Sequence, residues 1–347
     1  MVLDEDIEIV ANNISSQKIS GCKVLITGAT GLLGSIFVKG FLRANEKFNL
    51  KNEIFALCRN VNKANEVFCE FKDDKNLFIV EYDLLKPIEC EKVDYIFHFA
   101  GTTTSKEMVT HPVEVIESTI IGLNNILNFS KDKNVKSVVF TSSMEVFGVT
   151  NIDGRLKEND LGFLDLTTVR SSYPESKRLA ENLCACYASE YGVNVKVARL
   201  TQTFGAGASY DDSRVFGMIA RSVVEEKDIV LFSKGDLARD YCYTTDALSA
   251  ILQIALHGEK GEVYNVANED AHSSVIDMCN MVASELGNNK IKVKVDIPKN
   301  VQNLGFSPAC ITKLNTSKVR ALGWTPKFEL KEMFRRLIES YKETNPS

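Results

Sequence analysis

The chain has 347 residues, 44% apolar and 25% charged, with a formal net charge of -5. That is too much hydrophobe for a disordered segment, and enough chain for one large core or a core with a smaller lobe. The acidic balance disfavours non-specific binding to nucleic acid or to an anionic membrane, but leaves room for a basic pocket that takes a small phosphorylated molecule.

The first twenty residues, with Asp4, Glu5 and Asp6, read as a polar leader without the basic start and apolar centre of a signal peptide. No run reaches the roughly 18 apolar residues of a spanning helix, so a soluble cytoplasmic protein with no membrane partner is expected. The nine cysteines are scattered and odd in number, and read as reduced core thiols. Cys184 and Cys186 are two apart on a predicted helix and face different ways, with no second pair to complete a site, so no metal is expected.

CKVLITG (22–28) opens the regular part as a short apolar strand, followed by a glycine-punctuated helix to about residue 43. EIFALCR (53–59), LFIVEYD (77–83), VDYIFHFAG (93–101), VKSVVFTSS (135–143) and VNVKVARL (193–200) add further strands. Windows at 30–43, 112–131 and 174–191 carry helical spacing. Strands apolar on both faces and alternating with helices predict a parallel sheet covered on both sides, a doubly wound α/β fold of the Rossmann-like kind. Beyond residue 200 the pattern weakens. Helices are expected at 213–226, 245–257, 273–286 and 329–341, with strands near 229–232 and 261–267. Residues 1–200 are thus read as the doubly wound domain with its leader. Residues 201–347 are read mainly as a smaller mixed α/β lobe for substrate, with a soft boundary and some late elements shared.

VLITGATGLLGS sets Gly28, Gly31 and Gly34 between a strand and a helix. Glycines there permit a tight turn, close approach of backbone to a pyrophosphate, and close helix-to-strand packing, while the helix start offers N–H groups to the anion. A dinucleotide cofactor follows, with Thr30, Leu32 and Leu33 of the same turn beside it. The acid that reads the ribose of NAD is expected at the end of the second strand, where Cys58 and Arg59 stand instead. Arg59 can bind a 2'-phosphate or pack over adenine, so NAD is expected with NADP possible. Asp83 and Leu84 after the third strand are expected at the adenine. Ala100, Gly101 and Thr102 after the fourth are expected along the cofactor backbone, with Thr103 next on the substrate side.

SYPESKR places Tyr173 and Lys177 at i and i+4, on one helical face. Beside a dinucleotide, Lys177 can hold the nicotinamide ribose and favour the Tyr173 phenolate, whose ordinary pKa of about 10 makes it a poor base at neutral pH. Tyr173 then exchanges a proton with a sugar hydroxyl, and Ser143, at the end of the preceding strand, hydrogen-bonds the same oxygen.

GATGLLGS, FHFAG, TSSMEVFG, SYPESK, RLTQTFG, RDYCYTTDA, YNVAN and LGWTP together resemble the extended short-chain dehydrogenase/reductase family, in its nucleotide-sugar epimerase, dehydratase and decarboxylase branch. The resemblance spans almost the whole chain. It implies an NAD(P) domain, a nucleoside-diphosphate-sugar lobe, a homodimer paired through two helices, and Ser143, Tyr173 and Lys177 as the hydride-coupled set. Dehydratases of the branch resemble Thr-Asp-Glu where this chain has Ser143, Met144 and Glu145; methionine cannot donate the proton that dehydration requires. Decarboxylases of the branch resemble Thr-Ser-Glu and carry an arginine in a segment like DDSR, matched here by Glu145 and Arg214. Arg239 resembles the arginine that clamps pyrophosphate, with Asp240 and Asp246 expected to organise Arg239 and a helix start. Gln202 and Thr119 stand where asparagines are usual, Gln202 still able to donate to phosphate. Tyr210 and Phe216 are read either as stacking on a base or as lobe packing.

An epimerase of a nucleoside-diphosphate sugar, working through transient oxidation at C4, is the first expectation. A UDP-glucuronate-type decarboxylase and an NADPH-dependent 4-ketoreductase are the alternatives. A cofactor-sensing scaffold without activity would leave Tyr173 dispensable.

Overall fold

The computed structural model describes residues 1–17, 19–102, 104–297 and 312–345. The elements in chain order are α1 (Val2–Ser16), β1 (Lys23–Thr27), α2 (Leu32–Phe48), β2 (Glu53–Cys58), α3 (Val61–Val67), β3 (Leu77–Glu81), β4 (Tyr95–His98), α4 (Ser105–Thr110), α5 (Pro112–Lys133), β5 (Ser137–Ser143), α6 (Ser172–Glu190) and β6 (Val195–Leu200). The later ones are β7 (Gln202–Phe204), α7 (Val215–Val224), β8 (Ile229–Leu231), β9 (Ala238–Tyr243), α8 (Thr244–His257), β10 (Val263–Val266), β11 (Asn268–Ser274), α9 (Val275–Met281), β12 (Val293–Val295), α10 (Ser317–Arg320) and α11 (Leu330–Thr344).

Among the described residues, seven parallel strands form the main sheet in the order β10-β6-β5-β4-β1-β2-β3. Strands such as β1 and β5 are buried on both faces because helices cover both sides. The order reverses between β1 and β4, which leaves a crevice at their carboxyl ends, the place where open α/β sheets bind ligands. Phe37 and Phe41 of α2 close one face, Phe37 meeting Phe97 of β4 edge to face at 4.7 Å between centroids. The strand expected near 261–267 is β10. It joins the main sheet beside β6, because its alternate side chains Tyr264 and Val266 complete that sheet's core.

The second half adds a three-stranded sheet, β11-β9-β7, and the pair β12-β8. Phe204 of β7 stacks on Phe216 of α7 at 4.7 Å and meets Phe334 of α11 at 4.9 Å, a separate core above the carboxyl edge of the main sheet.

Residues 2–16, read from sequence as a polar leader, form a helix instead. Ile7, Val10, Ala11 and Ile14 fall on one face and are buried, while Asp4 and Glu5 sit in the first turn where negative charge suits the helix dipole. The acidic residues hid this apolar stripe. The helix lies chiefly on α2, where Gly40 lets it come close: a Cβ there would collide with Val10. Among the described residues no helix is long and apolar enough to cross a membrane.

Candidate active site

A cleft of about 630 Å³ runs across the carboxyl edge of the main sheet between β1, β4 and β5. One end is the glycine turn. Gly28 has φ of +64°, and a Cβ there would lie 2.8 Å from the Ala100 nitrogen; a Cβ on Gly34 would collide with the Gly28 carbonyl. Gly31 caps α2 without a side-chain bond to its first N–H groups, so those donors face the cleft unfilled by protein side chains. This cradle fits a dinucleotide pyrophosphate. Gly28, Thr30, Gly31, Leu32, Leu33 and Gly34 all line it, as do Ala100, Gly101 and Thr102.

At the far edge of that end, Arg59 is exposed and lines the cleft, joined by Asn60 and Lys63, which sequence reading did not single out. Leu84 lines the cleft too, whereas the neighbouring Asp83 does not. Its carboxylate accepts from the Leu85 N–H at 3.0 Å in a local turn, and Tyr82 takes the lining position. Thr103 lies outside the described residues.

The middle of the cleft holds the reacting groups. β5 ends at Ser143, whose hydroxyl accepts from the Glu145 N–H at 3.2 Å and starts a tight turn over Met144–Phe147. Gly148, with φ of +62°, closes the turn where any Cβ would strike the Phe163 carbonyl. This turn carries Glu145 into the cleft and buries Met144 in a small apolar cluster with Val146, Phe147, Leu156 and Leu314. Methionine therefore fills core space in addition to removing an acid. Ser142 serves the opposite purpose from Ser143: its hydroxyl donates to Glu181, which is paired in turn with Arg199.

Tyr173 lies in the first turn of α6 and lines the cleft together with Ser143. Burial first, and the charge of Glu145 second, push its phenol up to about 12; Ser143, Arg170 and Arg214 act in the opposite direction. Lys177 lies one turn on, buried, with Nζ donating to the Thr141 carbonyl at 2.9 Å and standing 5.9 Å from the Tyr173 ring centre. Burial brings its pKa down to about 8 against the pull of Glu181. A Cβ on Gly101 would be 3.6 Å from this amine, so the lysine faces the cofactor path.

Arg170 is a further residue that the sequence pattern does not reveal. Its Nη2 donates to both oxygens of Glu145, at 2.8 and 3.0 Å, and its Nε and Nη1 are buried without a hydrogen-bond partner. The available signal was its position three residues before Tyr173, one turn back on the same side. Arg214 lines the same cleft, held by Asp212 through Nε at 3.0 Å and Nη2 at 2.6 Å and lying over the Phe216 ring. Gln202 lines the cleft at the start of β7.

Arg239 stands apart from the main cleft. It borders a cavity of about 50 Å³ shared with Glu145 and Arg170, and its Nε is buried without a partner. Asp240 does not organise it. That carboxylate instead holds Arg155 at 3.0 Å, His272 at 2.8 Å and the Leu314 N–H at 2.6 Å, because alternate residues of β9 face opposite ways. Asp246, in the first turn of α8, accepts instead from the N–H groups of Lys327 and Phe328, and so ties the segment ahead of α11 to α8. Thr119 spends its hydroxyl on the Val115 carbonyl one turn back. Phe216 is buried core, and Tyr210 packs on Tyr341 and donates to Glu225.

Over 323 residues the chain is 25% identical to UDP-glucuronic acid decarboxylase 5 of Arabidopsis thaliana, covering 93% of this chain and 90% of that one. It is 22% identical to UDP-glucuronic acid decarboxylase 1 of Xenopus tropicalis, covering 92% and 72%. Two solved structures share the fold. One is UDP-glucuronic acid 4-epimerase from Bacillus cereus in complex with NAD, with TM-score 0.74, 18% identity and coverage of 93% and 99%. The other is the dTDP-glucose 4,6-dehydratase DesIV from Streptomyces venezuelae (with NAD and TYD), with TM-score 0.76, 21% identity and coverage of 92% and 97%. Residues 24–267 match the NAD dependent epimerase/dehydratase family, and the chain, an enzyme, belongs to it.

Proposed function

We propose that the protein oxidises C4 of a nucleoside-diphosphate hexuronate and then releases the C6 carboxylate as carbon dioxide. The observation that carries this reading is the convergence of Ser143, Tyr173, Glu145 and Arg214 on one cleft beside a dinucleotide cradle. The residues alone put epimerisation first. The shared cleft of Glu145 and Arg214, with decarboxylase relatives over nine-tenths of the chain, puts decarboxylation ahead.

NAD, when bound, supplies the acceptor and donor of hydride. Gly28, Gly31 and Gly34 would hold its pyrophosphate and Lys177 its nicotinamide ribose, with the exposed Arg59 at the rim of its adenosine end. Tyr173, whose phenolate the positive charge of bound NAD would favour against the burial that holds it neutral, accepts the proton of the C4 hydroxyl while Ser143 hydrogen-bonds that oxygen. In the resulting β-keto acid the C5–C6 bond breaks with its electron pair left on C5, delocalised into the C4 carbonyl. Ser143 and Tyr173 stabilise the oxygen that takes the charge. C5 then takes up one proton from water, and Tyr173 returns its proton to the C4 oxygen as C4 takes back the hydride. Arg214 orients the carboxylate, and Glu145, fixed by Arg170, faces the sugar. Gln202, which lines the cleft, is assigned to the diphosphate.

One observation favours the second reading, C4 epimerisation. Arg214 is already engaged by Asp212 through two donors, and a neutral sugar would need no carboxylate receptor. Incubation with UDP-glucuronic acid and UDP-glucose separates the two. A product lighter by one carbon dioxide supports decarboxylation; unchanged mass with an altered sugar NMR pattern supports epimerisation and sets the first reading aside. We also propose a cytoplasmic homodimer: the described cysteines are free thiols, and α5 and α6, packed side by side, leave Val113, Ile116, Ile121 and Leu179 exposed.

A further inference from the structure

The amino-terminal helix touches none of the cleft, yet it is wired to it. Asp6 is wholly buried in α1. Its Oδ1 accepts from Arg336 Nη2 of α11 at 2.7 Å and its Oδ2 from the Tyr243 hydroxyl at 2.6 Å. Arg336 also reaches the Tyr243 oxygen at 3.1 Å and Glu5 at 3.0 Å, and Glu343 of α11 accepts the Val2 N–H. One turn further along α11, Ser340 accepts the Gly207 N–H at 3.3 Å, and the Tyr341 hydroxyl donates to the Ser209 carbonyl at 2.8 Å. The loop so held continues to Asp212, the partner of Arg214. The helix also touches this loop directly. Gly207, with φ of +83°, lies where a Cβ would be 3.1 Å from Leu3 of α1 and 3.6 Å from Ile36 of α2.

We propose that α1 is a strap that positions Arg214: through Asp6 on α11 and Leu3 at Gly207, it fixes the 205–214 loop against α2, the helix that carries the cofactor cradle. The alternative is that α1 merely covers the apolar face of α2. Its buried stripe does that, but covering α2 requires no buried carboxylate. A buried ion pair returns little net stability for the desolvation it requires, and its best-attested use is to fix one register over its neighbours. Asp6 and Arg336 are thus positioning residues. Their effect on turnover rests on the reading of Arg214 as a substrate contact.

The test uses the full chain. Asp6→Ala is predicted to speed amide exchange in residues 205–214 while leaving the 23–34 cradle protected and the affinity for NADH unchanged. With UDP-glucuronic acid, KM should rise about tenfold with kcat within about twofold, the pattern of lost binding rather than lost chemistry. Asp6→Asn, which keeps the shape and one acceptor but not the charge that Arg336 faces, should restore the parent values in part. In an Arg214→Ala background the Asp6→Ala effect should vanish. Unchanged exchange in 205–214, equal loosening of the cradle, or full additivity with Arg214→Ala would overturn the strap. If Arg214→Ala alone leaves KM unchanged while the exchange result holds, the strap stands and the substrate reading of Arg214 fails. Should Asp6→Ala not fold, Leu3→Ala, at a partly exposed position, carries the same exchange test.

Discussion

At the scale of single residues, the site is a balance of charges around Tyr173. Burial holds the phenol neutral up to about 12, Glu145 pushes the same way, and Arg170 and Arg214 oppose it. The signs give a paired prediction. Glu145→Gln removes a negative charge and should lower the Tyr173 pKa, whereas Arg170→Met removes a positive one and leaves Glu145 uncompensated, so it should raise it. The difference in ultraviolet phenolate absorbance between each variant and its Tyr173→Phe counterpart, titrated with pH, reads both shifts. Equal shifts, or shifts of the opposite sign, would contradict the balance. Much of this site was legible because Tyr173, Lys177 and Ser143 have fixed spacings and strand-end positions. Arg170 was not, because its role depends on a turn that folds it back onto Glu145, and no local spacing encodes that contact.

The elements divide in the same way. The glycine turn, the strands of the main sheet and the helices 112–131 and 174–191 were readable, since parallel strands and their cover helices carry long apolar signals. β7 was missed because it has only three residues, and β9 and β11 were blurred because polar residues fill or interrupt them, β9 alternating Arg239 with Asp240 towards different surroundings. β2 supplies a prediction of its own. Its end presents Arg59, with Lys63 beyond it, where NAD-specific sites place a carboxylate. Arg59→Ala should weaken NADP binding by about tenfold, the loss of one charge-assisted phosphate contact, and leave NAD within about twofold. Quenching of NADPH and NADH fluorescence measures both. At the start of α8, burial raises the Asp246 carboxyl from 3.8 to about 6. A raised carboxyl binds its proton more tightly in the folded chain, so its contribution is full below the unfolded pKa and lost as pH climbs through about 6. The loss is about 3 kcal/mol over that window, at about 1.4 kcal/mol per unit. Urea melts at pH 4 to 7 should show Asp246→Asn flattening this fall.

At the scale of the molecule, two cores meet over one cleft, and the chain crosses between them several times. β10 returns from the second half to finish the main sheet, and α1 from the first half ties to α11 of the second. Such crossings explain why a cut near residue 200 was soft in sequence: the pattern changes there, but the packing does not. The apolar exposures on α5 and α6 point outward from this body. Sedimentation should give a dimer mass, and Ile116→Asp with Leu179→Asp should give a folded monomer; a monomeric parent would refute the pairing. The central claim is transient oxidation at C4 governed by Tyr173. UDP-glucuronic acid deuterated at C4, quenched during turnover, tests it directly. Deuterium should be found on the reduced cofactor in the parent and not in Tyr173→Phe, whereas product accumulating with no deuterium ever reaching the cofactor would contradict the account.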